Sequence, residues 1–100
     1  VLGSGGVLVE LLADSATLLL PTRPVEIIRA LKSLQVGPLL EGFRGRPAVD
    51  IPKVAAEIYR LCITYQEHAK TIAEIEINPL FVYREKVSAI DALIQVRADI

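Results

Sequence analysis

The amino-acid sequence predicts an α+β domain: a mainly antiparallel sheet with two helices on one face, in the order β-β-α-α-β-β-β. Three observations point there. Residues 25–34 and 54–65 carry apolar side chains at helical spacing. Runs rich in branched residues lie at both ends of the chain, bounded by Gly, Pro or charged turns. No internal repeat or low-complexity segment breaks this order.

Composition narrows the class. One hundred residues suffice for a single domain, and a domain of that size buries somewhat over ~60% of its unfolded surface. Hydrophobic residues make up 52% of the chain, and the mean hydropathy of +0.44 is high for a small soluble domain. A formal net charge of −1 offers no electrostatic reason to bind nucleic acid or an acidic membrane. No apolar run approaches the ~18 residues of a membrane span, and no segment of this sequence reads as a signal peptide. Cys62 stands alone, which excludes an internal disulfide and fits a reducing, cytoplasmic setting. The absence of methionine, even at position 1, suggests a piece excised from a longer protein. The apolar excess agrees, since a cut surface keeps its interface residues.

In chain order, Gly3-Ser4-Gly5-Gly6 reads as a flexible turn opening onto a strand, Val7 to Leu12. Its glycines could bring backbone N–H groups to a phosphate, although no P-loop or dinucleotide fingerprint follows. Glu10 interrupts the apolar strand, so its carboxylate is either solvated or aimed into a site. Residues 13–16 close a hairpin into Thr17–Leu20, ended by Pro21. Thr22 is expected to cap the first helix, with Pro24 in its first turn and Val25, Ile28, Leu31 and Leu34 as the buried stripe. Gly37 to Val49 reads as irregular, because two prolines and several glycines oppose regular structure. Within it Arg44 and Arg46 bracket Gly45, a group able to meet phosphate oxygens or to lie solvated in a loop. Asp50 is expected to cap the second helix, on which Val54, Ile58, Leu61, Cys62 and Tyr65 form the stripe. His68 falls at that helix's end, where a solvated, dipole-compatible role fits better than a catalytic base.

The most informative stretch is Glu74-Ile75-Glu76-Ile77-Asn78-Pro79-Leu80. Its alternation places Glu74, Glu76 and Asn78 on one face of a strand. Pro79, which has no N–H, ends that strand. Leu80–Tyr83 follows, Arg84-Glu85-Lys86 turns, and Val87–Val96 returns as one long strand. A turn centred on Glu85 pairs Tyr83 with Val87, Phe81 with Ala89 and Pro79 with Asp91. The Asp91 carboxylate then sits beside the Asn78 amide, with Glu76 near. One carboxylate and one amide oxygen suit Mg²⁺, which takes few protein oxygens and completes its shell with phosphate and water. The plain alternative is a half-buried strand with a solvated polar face.

Four segments in order carry a resemblance: Gly3 to Asp14, Leu39 to Asp50, Glu74 to Leu80, and Ile90-Asp91-Ala92. Together they resemble the C-terminal half of the ATP-grasp domain of ADP-forming acyl-CoA synthetases, relatives of the succinyl-CoA synthetase beta subunit. The similarity runs over all of residues 1–100. It implies part of an ATP-grasp fold and a reversible reaction in which acyl-CoA, ADP and phosphate give the free acid, CoA and ATP. By the same resemblance a phosphohistidine carried elsewhere in the enzyme shuttles the phosphoryl group. Asn78 and Asp91 match the residues that hold the nucleotide's Mg²⁺, and Glu76 matches the glutamate that assists transfer to and from the histidine. Gly5, Gly6 and Glu10 match a Gly-Gly…Glu segment, and Arg44 and Gly45 an Arg-Gly loop, all lining the nucleotide site. His68 matches no motif of the family. The implied cofactors are Mg²⁺ and ATP or ADP. The implied partners are the remaining ATP-grasp lobe and the CoA-binding and ligase domains, in the same enzyme or a partner subunit. On its own the segment should be inactive. Two other readings stand beside this one: a synthetase-like regulatory region of a protein-lysine acetyltransferase, and a non-catalytic interaction module.

Overall fold

The computed structural model describes residues 1–3, 15–42 and 47–98. Two short strands, β1 (Leu2–Gly3) and β2 (Ser15–Ala16), precede helix α1 (Pro24–Ser33), a one-turn helix α2 (Gly37–Leu40) and the long helix α3 (Ile51–Glu67). Four strands follow: β3 (Ile72–Ile77), β4 (Leu80–Val82), β5 (Val87–Ala89) and β6 (Ala92–Val96). All pairings are antiparallel: β1 with β2, β3 with β6, and β4 with β5. This is the α+β order expected, with an added helix and with the last long strand broken in two.

The first ladder differs from the sequence expectation. Ser15 and Ala16, placed in a turn, are the paired residues of β2, opposite Gly3 and Leu2. Thr17–Leu20 lies outside any ladder. A ladder forms where a partner strand is available, and that partner is set by contacts remote in sequence. The strand expected at Val7–Leu12 falls outside the described residues.

Helix α1 begins one residue later than Thr22 would allow. Pro24 occupies the first helical position, so Arg23 becomes the N-cap, and its side chain makes no cap bond. Thr22 is buried instead, and its hydroxyl donates to Glu26 Oε2 at 3.0 Å. The buried stripe also shifts, to Ile27, Ala30, Leu31 and Leu34, while Val25 is exposed. A run at strict three-residue spacing drifts around a helix of 3.6 residues per turn, so it cannot stay on one face.

Helix α3 starts as expected, with the Lys53 backbone N–H donating to Asp50 Oδ1 at 3.1 Å. Ile51, Val54, Ala55 and Ile58 are buried against Ile27 and Leu31 of α1. Farther along, Leu61 is exposed and Cys62 only half-buried. The ten residues of α1 run ~15 Å at 1.5 Å each, too short to cover the whole of α3. Leu80, Val82 and Val87 of the β4–β5 hairpin complete the core over the start of α3.

The tip of that hairpin is tied to the same helix end. The Asp50 N–H donates to the Arg84 carbonyl at 2.6 Å, and Lys53 pairs with Glu85 at 3.7 Å. By contrast every residue of β6 is exposed.

Candidate functional site

The turn decides the register. The Tyr83 N–H donates to the Lys86 carbonyl at 2.8 Å, closing a two-residue loop, Arg84-Glu85, where the sequence suggested three. Leu80 therefore faces Ala89, Phe81 faces Ser88 and Val82 faces Val87, each one residue from the expected partner. The same register continues through Asn78, whose N–H donates to the Asp91 carbonyl at 3.0 Å, and through Ile90, whose N–H donates to the Pro79 carbonyl at 3.1 Å. It reaches into the next ladder, where Ile77 faces Ala92, Glu76 faces Leu93 and Glu74 faces Gln95.

Residues directly opposite on an antiparallel ladder share a face. One face of β3–β6 thus carries the pairs Glu76 with Leu93 and Glu74 with Gln95, and the Asn78–Asp91 backbone bond extends that row one position past the end of the ladder. Glu74, Glu76, Asn78 and Asp91 are exposed, whereas Ile75 and Ile77 between them are half-buried. The alternation read from the sequence is therefore present in the fold. Pro79 falls where β3 ends and β4 begins, as its missing donor requires.

Chemically, the Asn78–Asp91 pair is a carboxylate and an amide at adjacent register positions on open surface. Among the described residues, no hydrogen bond or ion pair engages the side chains of Glu76, Asn78 or Asp91. No group of three or more His, Cys, Asp or Glu able to enclose a metal occurs among them either. Two hard oxygen ligands with open coordination fit an ion that draws the rest of its shell from phosphate and water, and do not fit an all-protein cage. Mg²⁺ is such an ion.

Other expected site residues divide into two groups. Gly5, Gly6, Glu10, Arg44 and Gly45 lie outside the described residues. His68 is the C-cap of α3, exposed, with Nδ1 2.9 Å from the Thr64 carbonyl. The six residues of β3 separate it from Asn78 by ~20 Å. The sequence reading missed Leu93 and Gln95, because a register one residue off does not place them opposite Glu76 and Glu74. No local signal marked them, since Arg84, Glu85 and Lys86 are all ordinary turn residues; the Lys86 ammonium 5.5 Å from the Tyr83 ring centroid accompanies the two-residue loop.

The ATP-grasp domain family matches residues 1–96, and the chain belongs to that family. Among its relatives is the acetate–CoA ligase [ADP-forming] of Methanocaldococcus jannaschii, 41% identical over 87 residues, covering 84% of this chain and 12% of that protein. The beta subunit of acetate–CoA ligase [ADP-forming] I of Pyrococcus furiosus is 32% identical over 90 residues, 90% of this chain and 38% of that subunit. A solved structure of the dinucleotide-forming acetyl-coenzyme A synthetase 1 of Ca. Korarchaeum cryptofilum, in complex with coenzyme A, Ca-AMPCP and HgCl⁺, superposes with a TM-score of 0.80. It is 30% identical and covers 93% of this chain and 40% of that one. The chain thus spans well under half of each of these relatives. No described helix is long and apolar enough to cross a membrane.

Proposed function

We propose that this chain is the C-terminal part of the ATP-grasp domain of an ADP-forming acid–CoA ligase, and that it supplies the metal-holding and phosphoryl-transfer face of the nucleotide site. The whole enzyme would convert acyl-CoA, ADP and phosphate into the free acid, CoA and ATP. The observation that carries this reading is the direct cross-strand pairing of Asn78 with Asp91, with Glu76 on the same face. It is supported by the relatives' names and by the divalent cation and nucleotide analogue named together in the Ca. Korarchaeum cryptofilum complex.

The residues divide the work. The Asn78 amide oxygen and the Asp91 carboxylate would hold Mg²⁺, which neutralises developing charge on the phosphate oxygens when bound. Glu76, two residues along the strand, would face the phosphohistidine and orient its ring while the phosphoryl group passes to the terminal oxygen of ADP. Such transfers need positioning and charge neutralisation more than covalent chemistry from the protein. Gly5, Gly6, Glu10, Arg44 and Gly45 would line the remaining phosphate surface. The other ATP-grasp lobe and the CoA-binding and ligase domains would come from the rest of the protein or from a partner subunit, in the cytoplasm.

The test is Asp91→Asn in the complete enzyme, assayed for ATP formation from acetyl-CoA, ADP and phosphate. Loss of an outer-shell partner costs ~10–100-fold in metal-dependent activity, so loss of a ligand should lower kcat/KM by at least ~100-fold. An Asp91→Asn enzyme with wild-type kcat/KM would remove Asp91 from the site.

A further inference from the structure

We infer that Tyr65, on α3 and outside the row of acidic residues, is a positioning residue that holds Asn78 opposite Asp91 by pinning a β-bulge at Ala73. The inference rests on the reading of Asn78 and Asp91 as the metal pair.

The β3–β6 ladder carries two registers. At its base Ile72 faces Val96, and the Arg97 N–H donates to the Thr71 carbonyl at 2.8 Å. From Glu74 onward the pairing has slipped by one: Glu74 faces Gln95, and this register persists through Asn78 and Asp91 to the hairpin tip. Ala73 is the extra residue that reconciles the two. Both ends are anchored independently. The tip is set by its two-residue turn and its bonds to the start of α3. The base is held by Arg97, whose Nε donates to the Ala69 carbonyl at 2.7 Å. A bulge must therefore sit somewhere between them.

Its location determines the site. If the extra residue were Asn78 instead of Ala73, the base register would run on past Glu76. Ile77 would then face Asp91. Neighbouring residues on a strand point to opposite faces, so a one-residue slip would put Asn78 and Asp91 on opposite faces of the sheet. The Mg²⁺ pair would be lost with every strand intact.

Tyr65 distinguishes the two placements. A bulge leaves the ladder locally unpaired, and the Tyr65 hydroxyl reaches from α3 to donate to the Ala73 carbonyl at 3.0 Å. A neutral hydrogen bond of this kind is modest, and it favours the bulge at Ala73, the position that the ladder leaves without a cross-strand partner. It selects the register that assembles the pair.

The experiment compares three variants of the complete protein with wild type: Tyr65→Phe, which removes only the hydroxyl; Tyr65→Phe combined with deletion of Ala73; and Asp91→Asn. Each is titrated with Mn²⁺ in the presence of ADP, with free Mn²⁺ read by electron paramagnetic resonance. Hydrogen exchange is followed over residues 72–82. Tyr65→Phe should weaken Mn²⁺ binding about tenfold, the lower end of what outer-shell partners contribute, and speed exchange at the Asn78 amide. Deleting Ala73 removes the extra residue, so an unbulged ladder reaches the site with Asn78 still opposite Asp91. It should therefore restore binding in the Tyr65→Phe background, which a purely structural tyrosine would not allow. Wild-type Mn²⁺ affinity in Tyr65→Phe, or failure of the deletion to rescue it, overturns the inference while Asp91→Asn still loses the metal. Unchanged binding in Asp91→Asn would instead sink the metal pair itself. Should Tyr65→Phe fold poorly, the double variant decides the matter, since its ladder needs no bulge.

Discussion

At the residue scale, burial governs the one thiol. Cys62 is half-buried on α3, and desolvation by burial pushes its pKa up, against a smaller opposing pull from a backbone hydrogen bond. The thiolate is the reactive species, so Cys62 should react with a disulfide reagent at pH 8 more slowly than free cysteine does, as followed by thiolate release. The sign for stability follows from proton binding. Above the ordinary thiol pKa of about 8.5 the unfolded chain has lost its proton while the folded chain retains it, so stability falls as pH climbs through that range. Equilibrium unfolding at pH 7 and pH 9.5, compared for wild type and Cys62→Ala, measures the difference. Equal pH dependence in the two would remove Cys62 as the cause. The sequence placed this thiol on an apolar stripe, and the structure keeps it there, packed against the core while partly open.

At the element scale, α2 shows what composition concealed. A stretch with prolines and glycines reads as irregular, yet Gly37–Leu40 forms a helical turn with Pro38 near its start, where a missing N–H costs little. Gly37 is required by closeness to its neighbours. A Cβ built there would lie 2.5 Å from the Lys32 carbonyl oxygen, a backbone atom that cannot swing aside. Gly37→Ala should therefore destabilise the protein by about 1–3 kcal/mol, as overpacking does, measured by urea unfolding. A neutral effect would mean that the α1–α2 junction yields. Gly42 stands at φ 99°, in the left-handed region that favours glycine, and ends the same turn. The hairpin teaches a similar lesson. Its strands were legible from alternation, but its register turned on whether two or three residues make the loop, and Arg84, Glu85 and Lys86 are all ordinary turn residues.

At the scale of the whole molecule, one small core has to hold two helices and a hairpin together. Ile27 and Val54 are its largest fully buried side chains, at 0% and 1% exposure. Ile27→Ala should cost about 2–5 kcal/mol, the transfer term plus the cavity left behind, read from the urea midpoint. A loss near zero would mean that the core can collapse onto the smaller side chain. Meanwhile the outer sheet keeps large apolar side chains in water: Leu93 is 56% exposed and Val96 67%. Leu93 stands opposite Glu76 on the candidate site face, so that exposure belongs to the surface which the proposed function would close over nucleotide.

Local chemistry was enough to establish the two long helices, the Asp50 cap, the alternating acidic strand and the nearness of Asn78 to Asp91. Each follows from a period, a cap or a proline within a few residues of the feature it explains. Tertiary structure alone decided which face of α1 is buried, that Ser15–Ala16 pairs with Leu2–Gly3, and that a bulge at Ala73 lies beneath a tyrosine from another element. Those outcomes depend on partners distant along the chain. A ladder slipped by one residue has nearly the same local propensities, and only contacts from outside the strands tell the two registers apart.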